Sequence, residues 1–188
     1  MPLTFPMDEN RVSLLLIHRG DATVMNHTLA GQKVLILASS GVEEGSMSSL
    51  QRDLLKAGAV IKTVATEPGL VNSWNGTAST WGLYFPVDIQ ISQALGADFD
   101  ILVVPNGSRS IQKLAANPHA ERIVSSFVMS KKPMGFLSDA IDLLDKTGHT
   151  TQKGSPFIIT SMDDKDIATF VGGLTICSAH SIDMAIAA

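Results

Sequence analysis

A chain of 188 residues is long enough to bury a sizeable core and fits a single compact domain. With 45% hydrophobic and only 17% charged residues it does not have the composition of a disordered segment. A formal net charge of −4, with no Lys/Arg cluster, argues against a nucleic-acid partner.

Residues 1–32 read as an N-terminal extension ahead of an α/β domain over 33–188. Within the extension, the apolar run Leu14–Ile17 is too short for a membrane span or a signal core, and the acidic pair Asp8 and Glu9 precedes it where a signal carries positive charge. The expectation is a soluble cytoplasmic protein with no membrane partner. From Lys33 the pattern alternates between short apolar runs and longer stretches of helical period, which is how a parallel sheet covered by helices reads. Val34–Ala38 is a buried strand feeding the turn Ser39–Gly41. Ser46–Lys56 carries a helical stripe at Met47, Leu50, Leu54 and Leu55, with Gly58 placed as its left-handed C-terminal residue. Ala59–Ala65 is a second strand.

The stretch Glu67–Pro86 shows neither period and reads as an ordered loop or a short hairpin. Its aromatic residues Trp74, Trp81, Tyr84 and Phe85 fit a ligand pocket, a subunit interface or the core, with core packing expected for at least half of them. Asp100–Val104 is a strand stopped by the turn Pro105–Gly107, and Ser108–Ser130 is helical, divided at Asn117–Pro118 because the residue before a proline avoids the helical region. Pro133–Leu137 is a short strand passing into a helical segment over Ser138–Leu144. Phe157–Thr160 is a late strand, and the closing helix from Lys165 to Ala187 contains Gly172–Gly173, where a break is expected. The single cysteine, Cys177, lies in that helix, excludes an internal disulfide, and reads as a buried small hydrophobe.

In such a sheet ligands sit outside the carboxyl ends of the strands, here the turns beginning at Ser39, Pro105 and Ser138. Those turns carry a family likeness. Lys33–Leu37 followed by Ser40-Gly41-Val42-Glu43-Glu44, then Phe85–Asp88, Asp100–Gly107 and Lys132–Asp139, resemble in order the characteristic segments of the ThiJ/PfpI superfamily, over roughly Lys33 to Leu174. Trp74 and Trp81-Gly82 ahead of Phe85 favour the intracellular protease I branch over two related folds, the glutamine-amidotransferase-like domain and the non-catalytic C-terminal domain of large catalases. The resemblance implies a flavodoxin-like doubly wound, mostly parallel sheet with helices on both faces, and a homo-oligomer, normally a dimer.

In active members of that family a cysteine at the strand-to-helix elbow is the nucleophile, a histidine follows it, and a glutamate in the first turn bonds the thiol. Carried over, those positions are Ser138, Asp139 and Ser46, and all three have changed. A serine hydroxyl needs a neighbouring base where a thiolate does not, and a carboxylate accepts a proton weakly near neutral pH. Asn106 stands at the first of the family's paired glycines, which alters the oxyanion turn. The connector from Leu144 to Phe157 is shorter than the family's, so a more open pocket is expected.

Two readings follow. In the first, the chain is a non-catalytic or repurposed member that binds a small molecule or a partner at a remnant pocket, with Glu43, Glu44, Asn106, Gly107 and Trp81 as binding candidates and Ser138 as a helix cap. In the second it is a hydrolase, acting as a peptidase, amidase or deglycase. Ser138 is then the nucleophile, Asp139 or His149 the proton acceptor, and amides near Gly107 the oxyanion donors. Glu43 and Glu44 are also explained by the dipole of the helix they begin. No metal site or cofactor is expected, since the histidine spacings match no ligand pattern.

Overall fold

Alternate side chains of the first strand, β1 (Lys33–Ala38), are buried on opposite sides from Val34 onward, which is why Val34–Ala38 contains no polar residue. Leu35 and Leu37 enter one hydrophobic cluster, while Val34, Ile36 and Ala38 enter another. The structure, a computed structural model, describes residues 29–161 and 167–186. After β1 the chain forms β2 (Val42–Glu43), α1 (Glu44–Lys56), β3 (Val60–Ala65), the strands β4 (Leu70–Asn75) and β5 (Thr80–Pro86), and β6 (Ile89–Gln90). A 3-10 turn at Gly96–Asp98 leads into β7 (Ile101–Val104), α2 (Ser108–Ala115), α3 (Pro118–Met129) and β8 (Met134–Leu137). A 3-10 turn at Ser138–Ile141, α4 (Asp142–Lys146), a further turn at Thr150–Gln152, β9 (Ile158–Ser161) and α5 (Ile167–Ile186) complete the described chain.

Among the described residues the main sheet has six strands in the order β6-β3-β1-β7-β8-β9, and every pairing between them is parallel. The buried faces of α2, α3 and α4 supply Ile111, Leu114, Ile123, Val124, Phe127, Leu143 and Leu144 to the cluster on one side. On the other side α1 and α5 supply Met47, Leu50, Leu54, Phe170 and Leu174. This is the doubly wound, flavodoxin-like α/β arrangement with helices on both faces. The strand order reverses between β1 and β7, since the chain leaves β1 for β3 on one side and returns to β7 on the other.

Several boundaries follow from single residues. Gly58, at φ +83°, ends α1, a conformation that glycine adopts without a Cβ penalty. Asn117 separates α2 from α3 and caps α3, its side chain accepting a hydrogen bond from the His119 amide at 2.9 Å. Leu29 is buried, and its amide donates to the Ala57 carbonyl at 2.8 Å, so residues 29–32 already pack against the domain. The remainder of the predicted extension lies outside the described residues.

Gly172–Gly173 does not interrupt α5, contrary to expectation. A Cβ on Gly173 would come within 3.2 Å of Ile159 Cγ2 in β9, so the glycine lets the helix lie close on the sheet. That packing outweighs a propensity cost of about 1 kcal/mol per glycine. Glu67–Pro86 resolves as the hairpin alternative, the antiparallel strands β4 and β5, with β2 pairing in parallel to β4 to make a second, three-stranded sheet. No helix among the described residues is long and apolar enough to cross a membrane.

Candidate functional site

The carboxyl ends of β1, β7 and β8 bring the turns beginning at Ser39, Pro105 and Ser138 to one edge of the sheet. The first two are bonded directly: the Glu43 amide donates to the Asn106 carbonyl at 2.8 Å. The two glutamates have separate duties. Glu43 is the N-cap of α1, its carboxylate accepting from the Ser46 amide. Glu44 fastens the hairpin, its carboxylate accepting from Ser73 Oγ at 3.1 Å and from the Leu83 amide at 2.8 Å.

Ser46 is buried, and its Oγ accepts a hydrogen bond from the Asn106 amide at 3.2 Å. The Asn106 side chain closes on the next residue, with Oδ1 accepting from the Gly107 amide at 2.7 Å. Both amides of this turn are therefore engaged inside the protein. Gly107 has φ 139°, and a Cβ on it would meet Glu43 N, Gly41 O and Val42 Cα, each at 2.8 Å. Only glycine fits between the two turns.

Ser138 departs from the expected cap. The N-cap position of the 3-10 turn is Leu137, without a side-chain cap bond, and Ser138 is the first residue inside it, at φ +48°. Its hydroxyl has no hydrogen-bond partner among the described residues. Asp139 is exposed, and no hydrogen bond joins Ser138, Asp139 and Ser46 to one another among the described residues. His149 is held elsewhere: its Nε2 lies 2.8 Å from Ser125 Oγ on α3, after α4 has carried the chain away from the elbow. Of the four aromatic residues in the hairpin only Phe85 is buried, against the expectation that at least half would be core; Trp74 is half-buried, while Trp81 and Tyr84 are 51% and 65% exposed. The hairpin meets α1 through Glu44 and α2 through Arg109.

Sequence reasoning missed the polar cluster beside this edge. The Glu67 carboxylate accepts from Thr66 Oγ1 at 2.6 Å, Ser39 Oγ at 3.0 Å, the Ser40 amide at 3.3 Å and Lys113 Nζ at 3.2 Å. Burial pushes its pKa up, but the hydrogen bonds from Thr66, Lys113, Ser39 and the Ser40 amide together outweigh it and hold the group below the ordinary glutamate value. On α2 the Arg109 guanidinium stacks 3.7 Å from the Trp74 ring centroid and 5.8 Å from that of Trp81. The two indoles meet edge to face at 5.4 Å and 82°. The usable signal was the spacing Arg109, Lys113, Ala116, which puts two cations and a small residue on one helical face.

Two clefts open along this edge. One, of about 400 Å³, lies against α1 and is lined by Glu43, Gly45, Ser46 and Arg52 among others. The other, of about 530 Å³, lies between the hairpin and α2 and is lined by Ser40, Trp81, Arg109, Gln112, Lys113 and Ala116. No group of three or more His, Cys, Asp or Glu that could hold a metal ion occurs among the described residues.

A family model described as the DJ-1/PfpI family matches residues 32–177. A curated relative, catalase HPII of Mycobacterium avium, is 28% identical over 122 residues, which is 64% of this chain and 16% of the catalase. The chain thus spans about a sixth of that relative. Among solved structures, DJ-1beta of Drosophila melanogaster superposes with TM-score 0.65 at 14% identity, covering 82% of this chain and 97% of that one. A two-domain protein of Anabaena variabilis, containing DJ-1/ThiJ/PfpI-like and ferritin-like domains, gives TM-score 0.63 at 18% identity, covering 76% of this chain and 47% of that one.

Proposed function

The chain belongs to the DJ-1/PfpI family, and on that premise we propose that it is a non-catalytic or repurposed member that binds a small molecule or a partner instead of turning over a substrate. The observation that carries this reading is the engagement of the Asn106 and Gly107 amides by Ser46 and by the Asn106 side chain. An oxyanion hole needs preorganised donors aimed at the developing charge, and removing one such donor costs about 10²–10³ in rate. Donors already bonded inside the protein do not serve. Ser138, Asp139 and Ser46 at the positions of the family's cysteine, histidine and glutamate point the same way. So does the company such domains keep: a stretch similar to this chain forms a small part of a catalase, and a similar fold stands beside a ferritin-like domain. Both fit an accessory, binding role.

The test is intact-mass spectrometry after incubation with a serine-reactive fluorophosphonate, wild type against Ser138→Ala. The expected result is no adduct on either protein. An adduct on wild type that disappears in the variant overturns the reading and favours the second one, a hydrolase acting on amides or dicarbonyls through Ser138. One observation favours that alternative: φ +48° at Ser138 is a strained backbone of the kind that holds a serine nucleophile proud of a strand-to-helix elbow. Asp139 would then take the proton, because His149 is bonded to Ser125. A cytoplasmic location and a homodimer belong to the same proposal. The exposed Leu70 and Tyr84, on one face of the hairpin, are the surface we assign to self-association, which light scattering of wild type against Tyr84→Glu would check.

A further inference from the structure

The cleft between the hairpin and α2 has its own chemistry, and it holds whichever reading of Ser138 is correct. It lies at the reversal of strand order between β1 and β7, with Ser40 from the turn after β1 on one wall and α2, which follows β7, on the other. That is where open α/β sheets take ligands. Its volume of about 530 Å³ falls within the range of small-molecule sites, roughly 300–1,000 Å³. In a protein of net charge −4 the residues that line this cleft include two cations, Arg109 and Lys113, and no acid; of the carboxylates near it, Glu67 is paired to Lys113 and Glu44 is bonded to Ser73 and Leu83.

Glu67 is paired to Lys113, and Arg109 has no acidic partner among the described residues. The Arg109 guanidinium sits with its Cζ 3.7 Å over the Trp74 ring centroid, and its N–H donors have no protein acceptor among the described residues. A planar fork held in that way matches a carboxylate bidentately. Trp81 adds an indole that is half exposed on the same cleft, a surface on which a flat ring can lie.

We propose that this cleft binds a small aryl carboxylate, its acid group held by Arg109 with Lys113 beside it and its ring against Trp81. Charge alone would recruit any anion, and the indole alone would recruit any flat apolar molecule. The arrangement selects ligands that carry both.

The chain contains only two tryptophans, Trp74 and Trp81, and both belong to this cluster, so each gives one indole N–H signal that reports on it. The full chain, labelled with ¹⁵N-tryptophan, is titrated with 2-naphthoate, with its neutral counterpart 2-naphthalenemethanol, and with inorganic phosphate. The expected result is a saturable shift of both indole signals by 2-naphthoate. Arg109→Gln, which removes a charge-assisted pair from an exposed position, weakens that binding by about tenfold. Lys113→Gln weakens it by less, and the alcohol binds worse than the acid. Indole signals that stay still overturn the proposal. Equal binding of acid and alcohol reduces the cleft to an apolar patch and also overturns it. Phosphate producing the same shifts at the same concentration removes the aryl requirement and overturns the ligand class. Full retention of 2-naphthoate affinity in both variants refutes the roles of the two cations.

Discussion

Gly107→Ala tests the claim that the site edge is held by backbone contact between two turns. At φ 139° an alanine occupies a region that is essentially reserved for glycine, at a cost on the order of 1–3 kcal/mol. The added Cβ would also stand 2.8 Å from Glu43 N, Gly41 O and Val42 Cα, all backbone atoms that no rotamer change can move. Forcing such a contact apart costs about 1–3 kcal/mol more, and it pulls on the Glu43 amide to Asn106 carbonyl bond that joins the turns. The expected loss is about 2–6 kcal/mol, a large share of the roughly 5–15 kcal/mol that stabilises a domain. In urea, with a slope near 2 kcal/mol per molar, the midpoint should fall by about 1–3 M. Gly31→Ala is the control: it also has positive φ, at +78°, but nothing lies within 4 Å of its Cβ position. Only the left-handed cost of about 1 kcal/mol applies there, a shift of about 0.5 M. Equal shifts for the two variants would refute the claim that the Gly107 contacts hold the edge.

Ser138→Gly should raise the melting temperature, since glycine escapes a left-handed cost of about 1–2 kcal/mol while losing roughly 0.5–1 in chain entropy. A fall in melting temperature by calorimetry would show that the serine is not strained. Because the folded Glu67 carboxyl has a pKa below that of the unfolded chain, the stability it contributes is complete above about pH 4.3 and is lost as pH falls through the lower folded value. The urea midpoint of wild type should therefore drop more steeply between pH 6 and pH 3 than that of Glu67→Gln, and parallel profiles would contradict this. Burial raises the pKa of the Cys177 thiol, which donates to the Pro156 carbonyl at 3.4 Å. Native protein should react with an aromatic disulfide reagent far more slowly than urea-unfolded protein, and equal rates would refute its burial.

The strands β1, β7 and β8 were legible because a strand buried on both faces must be apolar at every position, and Val34–Ala38 is. The division of the helices at Asn117–Pro118 and the end of α1 at Gly58 were equally local, set by backbone preferences of one or two residues. The hairpin is ambiguous between loop and strand in the sequence because β4 carries Asn72, Ser73 and Asn75, and a bulge between Asn72 and Trp74 breaks the alternation that marks a strand. Gly172–Gly173 misled because helix propensity is a weak prior beside close packing, here against Ile159. At the site, the sequence located the turns but not their internal bonds. That Asn106 folds back on the Gly107 amide, that Ser138 is left-handed, and that Arg109 stacks on Trp74 are all set by how the turns meet, which no single segment encodes.

The turn Pro105–Gly107 has both of its amides taken, by Ser46 and by the Asn106 side chain, while at the elbow the Ser138 hydroxyl has no partner among the described residues. Toward the hairpin, the first turns of α2 carry Arg109 and Lys113, and the Arg109 donors have no protein acceptor among the described residues. Affinity comes from polar groups that the fold has desolvated or oriented without satisfying, because a donor already bonded gains nothing from a ligand. On the proposed reading, the unpaired Arg109 donors of the cleft are a stronger anchor for an anionic ligand than the single Ser138 hydroxyl of the elbow, and Gly107 links the two. Its close contact with Gly41, Val42 and Glu43 fixes where α2 begins, and that start sets Arg109 over Trp74. Gly107→Ala should therefore weaken 2-naphthoate binding in whatever fraction remains folded, although residue 107 does not line the cleft. Unchanged affinity in the folded fraction would separate the turn from the cleft and leave the placement of Arg109 to the hairpin alone.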